Sequence, residues 1–351
     1  MIMKKIFTLS LAILMLLSVC ISAVSCNGGE GEATTPAVTT PAATTPAETT
    51  PAETTPSETT PAETTPEETE PEDTIPEDEE GVFHVRTADD LRELNQSIVY
   101  NKDYDGYTIS IDADIDMGGE QWQSLNGYYL YNTIFEGNGH TISNLNIVAN
   151  ERSSTRVGFV DMMDGGAITF RNLTFQNCTT TAGDSNGVAI VLGCSLKSDV
   201  VFNNVHVLDS KVITATKYKT GASDNSIGIR IAAMLGYSHE NSEISIDGCS
   251  VKRFLAEGFH NLACFVGYDS AWLTSIKNCV AEDVRLNFAY CYANGYNLEQ
   301  NDKYIQVFYG GGSWEDTLDN CLANGNTYKN VVFFDMDSQT EIDPVTFRTV
   351  K

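Results

Sequence analysis

Ile142-Ser143-Asn144-Leu145-Asn146-Ile147 sets apolar side chains at alternating positions around an asparagine, and the pattern comes back five times. The later copies run from Phe170 to Phe175, Phe202 to Val207, Ile246 to Val251, Ile276 to Ala281 and Leu318 to Ala323. Their third positions are Asn172, Asn204, Gly248, Asn278 and Asn320, spaced with Asn144 at 28 to 44 residues. Period-two alternation predicts strands, and spacings of this size suit one supersecondary unit per copy.

A second half-unit precedes the last five copies by about a dozen residues. It reads Gly158-Phe159-Val160, Val191-Leu192-Gly193, Met234-Leu235-Gly236, Phe265-Val266-Gly267 and Phe308-Tyr309-Gly310. Asn and Gly tolerate left-handed backbone angles, so a strand on either side of one implies a sharp corner. Stacked copies would set those corners about 4.8 Å apart, with Asn144, Asn172, Asn204, Gly248, Asn278 and Asn320 as one ladder. The expected fold is all-β, a right-handed parallel β-helix whose copies cannot bury their inner faces alone. An antiparallel sandwich of short strands also alternates at period two, but it does not predict a corner residue in fixed register.

Thr87-Ala88-Asp89-Asp90-Leu91-Arg92-Glu93-Leu94 predicts a short capping helix, with Thr87 as N-cap. Such a helix would cover the open edge of the first copy. Val331-Val332-Phe333-Phe334 reads as the closing strand.

Before this region the chain changes character twice. Lys4 and Lys5 precede an apolar run from Ile6 to Val24, the pattern of a secretory signal. The run ends in Ala23-Val24-Ser25-Cys26, which resembles a bacterial lipobox and makes Cys26 the expected lipidation site after removal of residues 1–25. Plain secretion or a retained anchor are the alternatives, since the apolar run is nearly as long as a bilayer span. The resemblance implies a protein held by acyl chains on the extracellular face of a bacterial membrane.

From Asn27 to Glu80 the chain repeats Thr, Pro, Ala and Glu, with no aromatic residue, Lys or Arg. A segment of this composition cannot bury enough apolar surface to fold, and its Pro and like-charged Glu favour extension. Residues 26–80 are therefore expected to be a disordered stalk, and residues 81–351 the folded domain. The net charge of the whole chain is -27. Without the 15 stalk carboxylates and the two signal lysines, -14 remains on the folded part. That field disfavours nucleic acid and anionic lipid as partners; glycans and surface proteins stay open.

The stretch Phe135-Glu136-Gly137-Asn138-Gly139-His140-Thr141-Ile142-Ser143-Asn144-Leu145, preceded by Tyr107 to Asp116 and Trp122, resembles surface proteins of anaerobic bacteria with GLUG-type repeats. It is also similar to pectate-lyase-like β-helices more broadly. The Gly-Leu-any-Gly core of the GLUG type is degraded here to forms such as Gly158-Phe159-Val160-Asp161. The resemblance implies a binding or adhesive module and carries over no catalytic residue.

Candidate sites are sparse. Asp112, Asp114 and Asp116 alternate, so one strand face could gather a calcium ion, although the same pattern also solvates an outer face; Asp103 and Asp105 are close in sequence. No other cofactor is expected. His84, His140, His206, His239 and His260 lack metal-ligand spacing. Seven cysteines follow Cys26, an odd number that excludes complete internal pairing. Cys249, Cys279 and Cys321 hold the position that Leu145, Leu173 and Val205 hold in earlier copies, as small stacked hydrophobes would; disulfides or zinc ligands are the alternatives.

Trp122 with Tyr128, Tyr129 and Tyr131, and Tyr290 with Tyr292 and Tyr296, are the expected ligand-contact aromatics, since such rings stack on sugars. A lyase needs Arg or Lys beside acidic ligands, and the basic residues Lys217, Lys219, Arg230, Lys252 and Arg253 form no ready-made base. A non-enzymatic adhesive or carbohydrate-binding surface protein is the leading expectation. A polysaccharide lyase or glycoside hydrolase, and a structural envelope protein, are the alternatives.

Overall fold

The computed structural model describes residues 80–148, 156–183, 186–214, 229–239, 241–259, 261–270, 274–289, 305–310, 318–336 and 338–342. Cys26, the stalk and Tyr290, Tyr292 and Tyr296 lie outside them. The described part is nearly all β-structure. One sheet has 18 strands and two others have four each. Among the described strands every pairing is parallel except the last, where Thr340–Ile342 runs antiparallel to Thr327–Asp335. Parallel pairing between copies excludes the antiparallel sandwich.

Copies stack residue on residue. Phe135 pairs with Phe170 and Phe170 with Phe202, their rings stacked nearly parallel with centroids 5.1 and 5.4 Å apart. Ile246 and Ile276 continue the column. All five are buried, and each stacked ring pair adds about 0.5–1.5 kcal/mol beyond area burial.

The register divides the single expected asparagine ladder into two. Arg171, Asn203, Asp247 and Lys277 pair in succession, so the residues after them, Asn172, Asn204, Gly248 and Asn278, stand in line with φ between 52° and 65°. A second ladder follows from the pairing of Ser143, Gln176, Leu208, Lys252, Glu282 and Lys329. Its corner residues are Asn144, Asn177, Asp209, Arg253, Asp283 and Asn330, with φ between 50° and 58°.

Asn144 thus stacks on Asn177 and not on Asn172. In its copy the Asn172 position is met by a longer turn, where Gly137 N and Gly139 N donate to Arg171 O and Asn172 O at 2.8 Å each.

Asn320 is also corrected. Leu318–Ala323 is a helix, because Leu318, Cys321 and Leu322 fit helical spacing as well as alternation. Asn278 N donates to Asn324 O at 3.2 Å, so Gly325 (φ 78°) takes the corner instead. Asn326, not Cys321, then fills the position next to Cys279. Its Oδ1 accepts from Cys279 N at 2.8 Å, and its Nδ2 donates to Ile276 O and Cys321 O.

Side chains link the corners from copy to copy. Asn172 Nδ2 donates to Glu136 Oε1 at 3.0 Å, Asn204 Nδ2 to Asn172 Oδ1 at 3.1 Å, and Asn278 Nδ2 to Asp247 Oδ1 at 2.9 Å. In the second ladder Asn144 Nδ2 donates to Asp116 Oδ1 at 2.6 Å, Asn177 bonds Asn144, Arg253 pairs with Asp209, and Asn330 Nδ2 reaches Asp283 Oδ1 at 2.8 Å.

The glycines of the other half-unit have a steric role. A Cβ on Gly193, Gly236, Gly267 or Gly310 would meet the backbone nitrogen of Val157, Val188, Ile231 or Leu262 at 2.7, 2.4, 2.6 and 3.0 Å. The strands Arg156–Val157, Gly187–Val188, Arg230–Ile231 and Asn261–Leu262 form one small sheet, packed backbone to backbone on the other along this glycine seam.

The helix expected after Thr87, α1, spans Ala88–Val99. Thr87 and Asp90 form a capping box, and Leu91, Leu94 and Ile98 are buried. The six described cysteines, Cys178, Cys194, Cys249, Cys264, Cys279 and Cys321, are buried. Among the described residues no helix is long and apolar enough to cross a membrane.

Candidate functional site

Among the described residues Tyr128 is the one expected contact aromatic whose ring faces solvent, at 54% exposure. It sits on a short 3-10 turn, Gly127–Tyr129, capped by Asn126, whose side chain accepts from Tyr128 N at 3.1 Å. The turn is fixed from below: Gly127 N donates to the buried Asp161 Oδ1 at 3.0 Å, and a Cβ there would lie 2.1 Å from Met162 O.

Tyr131 lies beside Tyr128, with centroids 5.9 Å apart and rings tilted by 51°. Its hydroxyl donates to Asp164 O at 2.9 Å and its ring rests on Gly166. Burial, with Tyr128, Asp164 and Asp103 nearby, pushes the Tyr131 hydroxyl up from its ordinary value. Tyr129 is half-buried and donates to Asn101 Oδ1 at 2.6 Å, next to the exposed Val99 and Tyr100 at the end of α1. Tyr104 N and Gly106 N donate to Tyr129 O and Tyr131 O at 2.9 Å each, which sets Asp103 and Asp105 on the neighbouring segment; there Asp105 N donates to Asp103 Oδ1 at 3.0 Å, and Asn132 Nδ2 to Asp105 Oδ1 at 2.8 Å.

Trp122 does not belong to this surface. It is 3% exposed, stacks on Phe159 at 5.4 Å and donates through Nε1 to Phe159 O at 3.3 Å. Alternation in Gln121-Trp122-Gln123 turns the indole inward between two exposed glutamines, where it pairs in register with Ile147.

Asp112, Asp114 and Asp116 are not on one strand face. Strand Thr108–Ile111 ends before them and a new one begins at Ile115. Asp112 accepts from Ser110 Oγ at 2.6 Å and meets His84 Nδ1 at 2.5 Å. Asp114 accepts from Thr141 N at 2.9 Å, and Asp116 from Asn144 Nδ2 and Gly118 N. Burial pushes Asp112 up, yet the Ser110 and His84 hydrogen bonds and the Arg86 charge leave it below its ordinary value. Each carboxylate is occupied by protein donors, and among the described residues no three His, Cys, Asp or Glu side chains gather as a metal site.

A further aromatic group was not read from the sequence. The Arg230 guanidinium lies over Tyr237 at 4.1 Å and Tyr268 at 5.0 Å, and burial lowers its pKa. The signal was the Gly-Tyr dipeptide that recurs in register at Gly236-Tyr237 and Gly267-Tyr268. Tyr237 is only 8% exposed, so this group packs the flank of the small sheets.

No protein-family model matches the chain, the GLUG type included, and no curated protein sequence matches it. A crystal structure named "putative immunoglobulin A1 protease from Bacteroides ovatus" is similar at 18% identity over 66% of this chain and 83% of that one, with a TM-score of 0.31. A score of this size does not define a common fold.

Proposed function

We propose that the chain is a lipoprotein, anchored through Cys26 on the extracellular face of a bacterial membrane, that presents a right-handed parallel β-helix as a non-enzymatic binding surface for carbohydrate. The fold part of this reading is supported by parallel, in-register stacking of copies and by two corner ladders at a constant separation along the chain. The anchor and stalk rest on the sequence from Lys4 to Glu80.

The observation that carries the ligand class is Tyr128. An aromatic ring left in water, on a turn held by Asn126 and Asp161, with Asp103 and Asp105 on the backbone segment bonded to Tyr129 and Tyr131, offers a stacking face with carboxylates on the neighbouring segment. Sugar rings stack their apolar C–H faces on such a platform while their hydroxyls donate to neighbouring carboxylates.

The test is retention of the mature protein on immobilised plant and host polysaccharides, with product release followed in parallel. Retention without products, lost in Tyr128→Ala while the melting temperature holds, is expected. Sugar release or new ultraviolet-absorbing double bonds would replace this reading with an enzymatic one, and absence of retention across the panel would end it.

A further inference from the structure

The stacking that builds the core sets two cysteines against each other. Lys252 pairs with Glu282, Val251 with Ala281 and Ser250 with Val280, and Val280 N donates to Cys249 O at 3.0 Å. One residue earlier, Cys249 and Cys279 occupy the same position, each just before one of the paired strands Ser250–Lys252 and Val280–Ala289, and both are buried. Each thiol leans towards the preceding copy, Cys249 Sγ to Phe202 O at 3.5 Å and Cys279 Sγ to Ile246 O at 3.8 Å. The Cys279 sulfur therefore points to the copy that carries Cys249. Neighbouring strands lie about 4.8 Å apart, within the Cα separations a disulfide spans.

The other described cysteines lack such a neighbour in strand register. Cys194 is flanked by Met162 and Tyr237. Cys178 N is bonded to Ser210 Oγ on one side, and Leu145 O accepts from Thr179 N on the other. Cys264 N donates to Val307 O, and Cys321 is in the helix Leu318–Ala323.

We propose that Cys249 and Cys279 form a modification site, a cross-copy dithiol that is converted to a disulfide by exchange with a small-molecule disulfide. One cysteine thiolate attacks a sulfur of the oxidant, giving a mixed disulfide and releasing one small thiol. The second cysteine thiolate attacks the protein sulfur of that mixed disulfide, closing the cross-link and releasing the other small thiol. The oxidant's disulfide takes up the two electrons, and the two protons given up by the cysteines end on the released thiols.

The neighbouring sulfur and burial both push the Cys249 thiol up, and exchange requires an accessible thiolate. The bond therefore forms as the chain folds or when the two copies open, and slowly in the closed structure. Once formed, it ties together two copies whose corners are Gly248 and Asn278.

The mature full-length protein, unfolded with reductant, is refolded in a mixture of oxidised and reduced glutathione. Remaining thiols are alkylated under denaturing conditions and the peptides mapped by mass spectrometry. The expected product has lost two hydrogen atoms and yields one dominant linked pair, Cys249 with Cys279. Cys249→Val, which copies the Val205 of the preceding strand, folds and loses the link. Three results would each overturn the proposal: full alkylation of both cysteines in the refolded protein, Cys279 linked to Cys321 instead, or the same mass loss in Cys249→Val.

Discussion

Asn or Gly recurs at the corners of the large sheet, and Gly alone recurs along the seam between the two small sheets, for opposite reasons. At the corners the backbone is left-handed and the side chain is free to reach the next copy: Asn172, Asn204 and Asn278 have φ near 52° and bond Glu136, Asn172 and Asp247. A non-glycine residue there is strained but has room. Along the seam Gly193, Gly236 and Gly267 are not in the left-handed region, and it is the side chain that has no room. The comparison separates a conformational demand, which Asn, Asp and even Arg253 meet at some cost, from a steric one that only glycine meets.

The seam should therefore be the harder place to change. Gly236→Ala would set a methyl 2.4 Å from Val188 N, and no flexible side chain can yield. It is expected to cost more than about 4 kcal/mol, in the range of severe strain, and to leave little folded protein by denaturant titration. Trp122→Ala, which empties a buried site against Phe159, should cost about 3–5 kcal/mol. A midpoint near that of the parent would return Trp122 to the surface.

Asn204→Ala is a corner change and should be milder, about 1–2 kcal/mol for placing an ordinary residue in the left-handed region. Asn204→Gly should cost less than that, because glycine adopts the angle freely. If Asn204→Ala and Gly236→Ala were equally damaging, the distinction between corner and seam would fail.

Acid should act on the corners before the seam and is the smallest effect. Arg253 beside Asp209, and Asn144 with Gly118 N beside Asp116, hold those carboxylates below their ordinary values. Burial raises Glu136, but Asn172, Asn138 N and Arg171 outweigh it. Groups depressed in the folded state stabilise it above their unfolded pKa, and that stability is lost as pH falls through the folded value. Hydrogen exchange should accordingly loosen corner amides below about pH 4, before amides at the seam. Simultaneous loosening of both would contradict this assignment.

Much of this was legible in the residues. Period two gave the strands, Thr87 and Asp90 the start of α1, and the recurring Asn a corner in register. The sequence could not divide the corners into two ladders, because Asn177, Asp209, Arg253 and Asp283 share a backbone angle and not a residue type. It misplaced the last corner, since Leu318-Asp319-Asn320-Cys321-Leu322-Ala323 satisfies both periods and forms a helix, which moves the corner to Gly325. At the candidate site, composition picked out the aromatic group but not which ring is wet. Trp122 and Tyr128 differ only in the direction their strand or turn sends them, and that direction is set by partners such as Ile147 and Asp161, distant in sequence.

The stacking register carries the whole account, and an experimental crystal structure of the domain tests it most directly. The account predicts parallel strands, with Asn144 beneath Asn177, Asn172 beneath Asn204, and Gly325 rather than Asn320 next to Asn278. Antiparallel pairing of the copies, or Asn144 in line with Asn172, would contradict it.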